Sequence, residues 1–176
     1  MLPEGDISGR STRHRLPDEA YRTPGEAGGV TIRARPTTPS LVAGGRTSLV
    51  LDALYNAAEL KRRAVIAHCM LPDHLHFLTC VLDESGHILK AIKSFKQYPA
   101  RRLHDSGVPK PAWIRDFWDR HVREHEDYVG VEWYIAQNPV HHGLCDDPRT
   151  WPYTARNGWP NPRGQDRTTT AGGQGS

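Results

Sequence analysis

Cysteine is scarce in this chain: Cys69, Cys80 and Cys145 are all it has, and no two stand in a CxxC spacing. An odd count without paired spacing does not read as a disulfide framework, and a cysteine zinc site has no CxxC pair to build on. That usage fits a reducing, cytosolic compartment. Long apolar runs are missing too, which excludes a helical membrane span of about 20 residues. Met1–Arg22 is polar and charged, with none of the apolar core of a signal peptide. There is no internal repeat. A strong charge of one sign is also absent: 23 Lys and Arg face 20 Asp and Glu, a net charge of +3. Binding to a polyanion therefore has to be argued from where the cations lie, not from their sum. Only 37% of the 176 residues are hydrophobic. That is enough for one core, with part of the chain left outside it.

Composition divides the chain. Residues 1–28 are rich in Gly, Pro, Arg and Glu without apolar periodicity, and read as a disordered leader. Residues 155–176, which include Gly, Thr, Gln and Pro in quantity, read as a disordered tail. The folded domain is expected at 29–154.

Within it, Gly29–Arg35 alternates apolar and polar residues and reads as a strand. Leu49, Leu51, Leu54, Ala57 and Leu60 mark a helix from Thr47 to about Arg63, with Thr47 or Ser48 as its cap. Ala64–Leu71 and His74–Leu82 are strands, and Pro72-Asp73 between them predicts a hairpin turn. Ser85–His104 has helical spacing. Trp113–Arg123 contains a strand, and Glu124–Asn138 is a helix ending before Pro139. The order β-α-β-β-α-β-α predicts an α+β fold, an antiparallel sheet with helices packed on it.

His74-Leu75-His76 is the sharpest chemical feature. On a strand, residues two apart point to one face, so both imidazoles project side by side and can share a divalent metal. A chain with ten histidines makes such a pair often by chance. Two polar rings in an otherwise apolar strand tilt the balance toward ligation. The other histidines read as surface groups. On the last helix, Tyr134 and Asn138 are four apart and share a face. Asn138 offers an amide oxygen as a third ligand, and Tyr134 a nucleophilic hydroxyl one turn away. By residue type alone Tyr134 is more readily a core aromatic beside Trp133, and Tyr55, Tyr98, Tyr128 and Tyr153 are rival nucleophiles.

Four ordered segments carry a family resemblance. Met70–Leu78 (MLPDHLHFL), Ser94–Tyr98 (SFKQY), Phe117–Tyr128 (FWDRHVREHEDY) and Tyr134–Leu144 (YIAQNPVHHGL) resemble the motifs of HUH single-tyrosine transposases. They are especially similar to the REP-associated tyrosine transposases and IS-two-hundred-like proteins. The resemblance covers about residues 29–154. It implies a ferredoxin-like sheet and a divalent cation, Mg2+ or Mn2+, held by His74, His76 and Asn138. It also implies that Tyr134 cleaves single-stranded DNA near hairpins or palindromic repeats, leaving a 5′-phosphotyrosine. The protein would then act in DNA transposition from the cytoplasm, associated with the nucleoid, as a monomer or a homodimer. Three features depart from the family pattern: Asp73 before the first His, Leu71 between Met70 and Pro72, and Pro99 after Tyr98.

Lys93, Lys96, Arg101, Arg102, Arg115, Arg120 and Arg123 are the candidate DNA-binding cations, with Lys90 beside them. Trp113, Phe117 and Trp118 fit base stacking but more readily fill a core. Two other readings remain: a domesticated, non-mobile hairpin-binding protein, and a metal-dependent phosphodiesterase using water.

Overall fold

A computed structural model describes residues 22–98, 100–122 and 125–156. The elements in chain order are β1 (Ala27–Arg33), α1 (Arg46–Leu60), β2 (Arg63–Met70), β3 (His74–Val81), α2 (Ile88–Gln97), α3 (Ala100–Asp105), β4 (Trp118–Val122), α4 (His125–His141) and β5 (Thr154–Ala155), with a 3-10 turn at Pro148–Thr150 before the last strand. All strand pairs are antiparallel and the order across the sheet is β4-β1-β3-β2-β5. Its first four strands form the ferredoxin-like sheet the resemblance implied, and β5 extends one edge.

Period-two alternation sends the side chains of the central strands to two faces. Val30, Ile32, Leu75 and Phe77 face one way and pack with Leu54 of α1, Ile92 and Phe95 of α2 and Leu103 of α3. Ala27, Leu78 and Val122 face the other way and pack under Val131 and Ile135 of α4. Gly28 of β1 lets one helical layer approach closely, since a Cβ there would meet Ile88 of α2 at 3.3 Å; one on Gly29 would make an ordinary contact with Val131 of α4 at 3.5 Å. In β2 the register slips between Val65 and Ala67, a bulge at Ile66. The slip turns Ala67 and Cys69 toward the α4 side, opposite Leu78 and His76.

Several boundaries differ from the sequence reading. β1 begins at Ala27, inside the expected leader, because Ala27 and Gly28 pair with Cys80 and Thr79. Ala155, assigned to the tail, pairs with His68. Residues 1–21 and 157–176 lie outside the described residues. α1 starts on a left-handed Gly45 with no side-chain cap, and Thr47 Oγ1 instead donates to the Leu41 carbonyl at 3.2 Å. The single helix read over Ser85–His104 is two, on either side of Pro99, which itself lies outside the described residues. α4 does not stop before Pro139 but runs through it to His141.

The ring of Phe95 is 1% exposed and packs on Trp113 with centroids 5.3 Å apart. Phe95→Ala should cost about 3–5 kcal/mol of unfolding free energy. Leu60→Ala, at a side chain 70% exposed, should change it by less than about 0.5 kcal/mol. Urea denaturation of both variants checks the contrast, and equal losses would mean the core is misplaced.

Candidate functional site

His74 and His76 project from β3 on the α4 side of the sheet, their ring centroids 4.7 Å apart and their planes near perpendicular at 82°. Each has one ring nitrogen already engaged. Nδ1 of His74 lies 2.6 Å from Oδ1 of Asp73. A carboxylate only accepts, so this nitrogen carries the proton and Nε2 presents its lone pair. Nδ1 of His76 lies 2.7 Å from the hydroxyl of Thr31, its cross-strand partner on β1, again leaving Nε2 as the unengaged nitrogen. Burial pushes the His76 imidazole down to about 3, and the neighbouring His74, His142 and Arg33 act in the same direction. Burial also lowers His74, against the pull of Asp73. Burial raises the Asp73 carboxyl, but its hydrogen bond and charge interaction with His74 outweigh that and hold it below its ordinary value. At neutral pH the pair is therefore two neutral imidazoles, the form in which histidine binds metals.

The hairpin turn that carries Asp73 is bolted down from outside. Ala34 N–H donates to the Asp73 carbonyl and Leu41 N–H to the Pro72 carbonyl, both at 2.7 Å. Leu71 N–H closes the turn on the His74 carbonyl at 2.8 Å. The carboxylate that orients His74 thus hangs from a fixed backbone.

Helix α4 brings Asn138 to the same side of the sheet, buried at 3% exposure. Proline at 139 has no N–H for the carbonyl of Ile135 and would normally break the helix. The amide of Asn138 fills the gap: Nδ2 donates to the carbonyl of Tyr134 at 2.8 Å and to that of Ile135 at 3.3 Å. With the donor end held by the helix, no described hydrogen bond engages Oδ1, the end suited to a metal. Among the described residues no three His, Cys, Asp or Glu side chains are grouped to hold a metal.

Tyr134 is half exposed on the rim of α4, its ring 6.0 Å from that of His141. Most of its rivals are engaged elsewhere. Tyr128 donates to the Gly25 carbonyl at 2.7 Å, Tyr55 meets Nδ1 of His68 at 3.0 Å, and Tyr153 donates to the Val42 carbonyl at 3.3 Å. Tyr98 is exposed at the end of α2, in the helical layer on the other side of the sheet.

The seven candidate cations scatter. Lys93, Arg101 and Arg102 are exposed on α2 and α3, across the sheet from the histidines. Lys96 is already used: its ammonium donates to the carbonyls of Ile114, Arg115 and Asp116 at 2.9, 2.9 and 3.3 Å and sits 5.5 Å from the Phe117 ring centroid. It staples the segment before β4 rather than standing ready for a phosphate. Arg115 is exposed in that segment, and Arg123 lies outside the described residues. Arg120, two residues after Trp118 on β4, projects from the histidine face.

Two neighbours of the pair went unread in the sequence. Arg33, exposed, is the cross-strand partner of His74 and acts electrostatically on both histidines. His142, read as a surface group, places its ring 5.1 Å from that of His74. Period two from Thr31 puts Arg33 on a face with Thr31, but only the β1–β3 pairing says that this face holds the histidines. Nothing in the sequence signals His142.

The chain matches no family model. It is 29% identical over 104 residues to a protein of Haemophilus influenzae named as a REP-associated tyrosine transposase, covering 51% of this chain and 57% of that one. To the REP-associated tyrosine transposase of Escherichia coli it is 27% identical over 88 residues, 50% of this chain and 51% of that one. The chain spans about half the length of the curated relatives it matches. A solved REP-associated tyrosine transposase bound to a REP hairpin shares its fold, with a TM-score of 0.66 at 22% identity over 76% of this chain and 78% of that one. The resemblance carried by the motifs therefore holds for sequence and for fold.

The lowered His76 sets a pH dependence. In the unfolded chain the imidazole titrates near its ordinary 6.5, and in the fold near 3. Between these values the unfolded chain binds more protons, so stability is fully present above the upper value and is lost as pH falls toward the lower. Metal-free protein should lose urea resistance across that window, and His76→Asn should lose less of it. Parallel pH profiles for the two proteins would show that His76 does not titrate in this way.

Proposed function

We propose that this relative of the REP-associated tyrosine transposases binds hairpin-forming single-stranded DNA and cleaves one strand at the histidine face, with Tyr134 as nucleophile. The observation that carries the reading is the pair of imidazoles whose Nδ1 atoms are both engaged, by Asp73 and Thr31, so that both Nε2 atoms are left for a ligand. The unengaged Oδ1 of Asn138 and the half-exposed ring of Tyr134 on the same helix support it.

His74, His76 and Asn138 would hold one divalent cation, Mg2+ or Mn2+. When bound, it would offset the charge of the scissile phosphate and of an approaching phenolate. The chain's own residues do the rest. Asp73 and Thr31 keep the imidazoles in one orientation. The oxygen of Tyr134 attacks phosphorus in line and loses its proton. The P–O3′ bond breaks, the 3′ oxygen leaves and takes up a proton, and the 5′ phosphate stays on the tyrosine. One phosphodiester replaces another, so a 3′-hydroxyl can reverse the step and join strands.

The test uses a hairpin oligonucleotide with unpaired flanks, labelled at its 3′ end, and Mn2+. Wild type should give a labelled protein band that survives denaturation. Tyr134→Phe keeps the ring but should abolish the band while DNA binding persists. A band that persists in Tyr134→Phe would move the nucleophile elsewhere, and no band from wild type on any single-stranded substrate would favour the binding-only reading. Products released by Tyr134→Phe without a covalent band would instead indicate water as nucleophile.

The orienting groups are tested separately. Asp73→Ala and Thr31→Val should each weaken Mn2+ binding on the order of 10- to 100-fold, as removal of a ligand's hydrogen-bond partner does. Calorimetric titration of the DNA-free protein measures this, and unchanged affinities would place the cation elsewhere.

A further inference from the structure

Three aromatic side chains near β4 have different fates. Trp113 is buried at 5% exposure against Phe95, and Phe117 packs on the same core under Lys96. Trp118, the next residue, is 59% exposed at the start of an edge strand. Edge strands are ordinarily blunted with charge or covered, and a large indole left in water there gains nothing from the core.

Its placement is specific. Trp118 pairs with Thr31 of β1, and Thr31 pairs with His76 of β3. Directly paired residues share a face, so the indole projects from the same side of the sheet as the two histidines. The strands carrying Trp118 and His76 are about 10 Å apart, two inter-strand spacings. Helix α4 packs Val131 and Ile135 over Gly29, Leu78 and Val122 of this face, and His142 just beyond its end lies 5.1 Å from His74, ring to ring, while Trp118 at the β4 edge stays exposed. Arg33 and Arg120, both exposed, flank the row from the same face. The three bonds from Lys96 to the carbonyls of residues 114–116 fix the segment that leads into Trp118. A stacking platform needs such a rigid support.

We propose that Trp118 stacks an unpaired base of the DNA strand next to the scissile phosphate, with Arg33 and Arg120 on the flanking phosphates. An indole face accepts any base but only one that is out of a duplex, so this contact makes the site select single-stranded DNA. The inference rests on the DNA-cleavage reading of the same site, but its test needs no cleavage.

Binding is measured in the Tyr134→Phe background with two probes: a hairpin with an unpaired flank and the same hairpin with blunt ends. Trp118→Ala should weaken binding of the flanked probe about 5- to 150-fold, the range of one base–aromatic stack. It should leave the blunt probe unchanged, and Trp118→Phe should restore most of the loss. An abasic site is then walked along the flank. At one position it should weaken Trp118-containing protein and cost the Trp118→Ala protein nothing further. Equal losses on both probes, an abasic penalty independent of Trp118, or no effect of Trp118→Ala would each overturn the proposal. Retained stacking with no covalent product from the Tyr134-containing protein would fault the chemistry alone. Failure of both proteins to bind single-stranded DNA would overturn both readings. Matching thermal melts for the variants exclude a folding defect, as expected for an exposed side chain.

Discussion

Strand β3 hydrogen-bonds to β1 on one side and to β2 on the other, so each of its side chains must take one of two faces. Leu75 and Phe77 go to the core beneath α1 and α2. His74 and His76 go to the α4 side, where burial would be costly without partners. Register supplies one of those partners, since Thr31 stands opposite His76 and bonds its Nδ1, while His74 is bonded by Asp73 beside it in the chain. A slip of one residue between β1 and β3 would put Ile32 opposite an imidazole and leave the ring nitrogen unbonded. The core on one face and the orientation of the His76 imidazole on the other thus depend on a single strand pairing.

Helix α4 meets that face under a different constraint. Pro139 deprives the Ile135 carbonyl of its donor, and the amide of Asn138 replaces it. The repair lets the helix continue to His141 and commits the NH2 end of the amide. A backbone defect and the orientation of a candidate ligand therefore have one cause. The expectation of a helix end at Asn138 rested on the restriction proline places on the residue before it, and did not include the repair of the helix by that residue's own side chain.

Charge is divided between the layers in a way the net value conceals. Lys93, Arg101 and Arg102 ride on the helices across the sheet from the histidines, and Lys96 spends its three protons on loop carbonyls. The cations on the histidine face come from strands: Arg33 from β1, next to the imidazoles, and Arg120 from β4, at the sheet edge. The same division separates the aromatic residues, since Trp113 points into the core and Trp118 into solvent.

By itself the sequence determined what is local. Alternation marked β1, short apolar runs on either side of Pro72-Asp73 marked β2, β3 and their hairpin, and helical spacing marked α1 and α2, because each depends on neighbours a few residues away. It also determined that His74 and His76 share a face, since two residues on one strand need no partner to do so. Four ordered motifs extended this to the ferredoxin-like sheet. Tertiary structure decided whatever depends on contact between distant segments. The bulge at Ile66, the Thr31–His76 bond, the nearness of Arg33 and His142, the diversion of Lys96 and the exposure of Trp118 all belong to that class. Thr31 and His76 are 45 residues apart in the chain. No periodicity spans that distance, and only the pairing of β1 with β3 brings the hydroxyl to the ring.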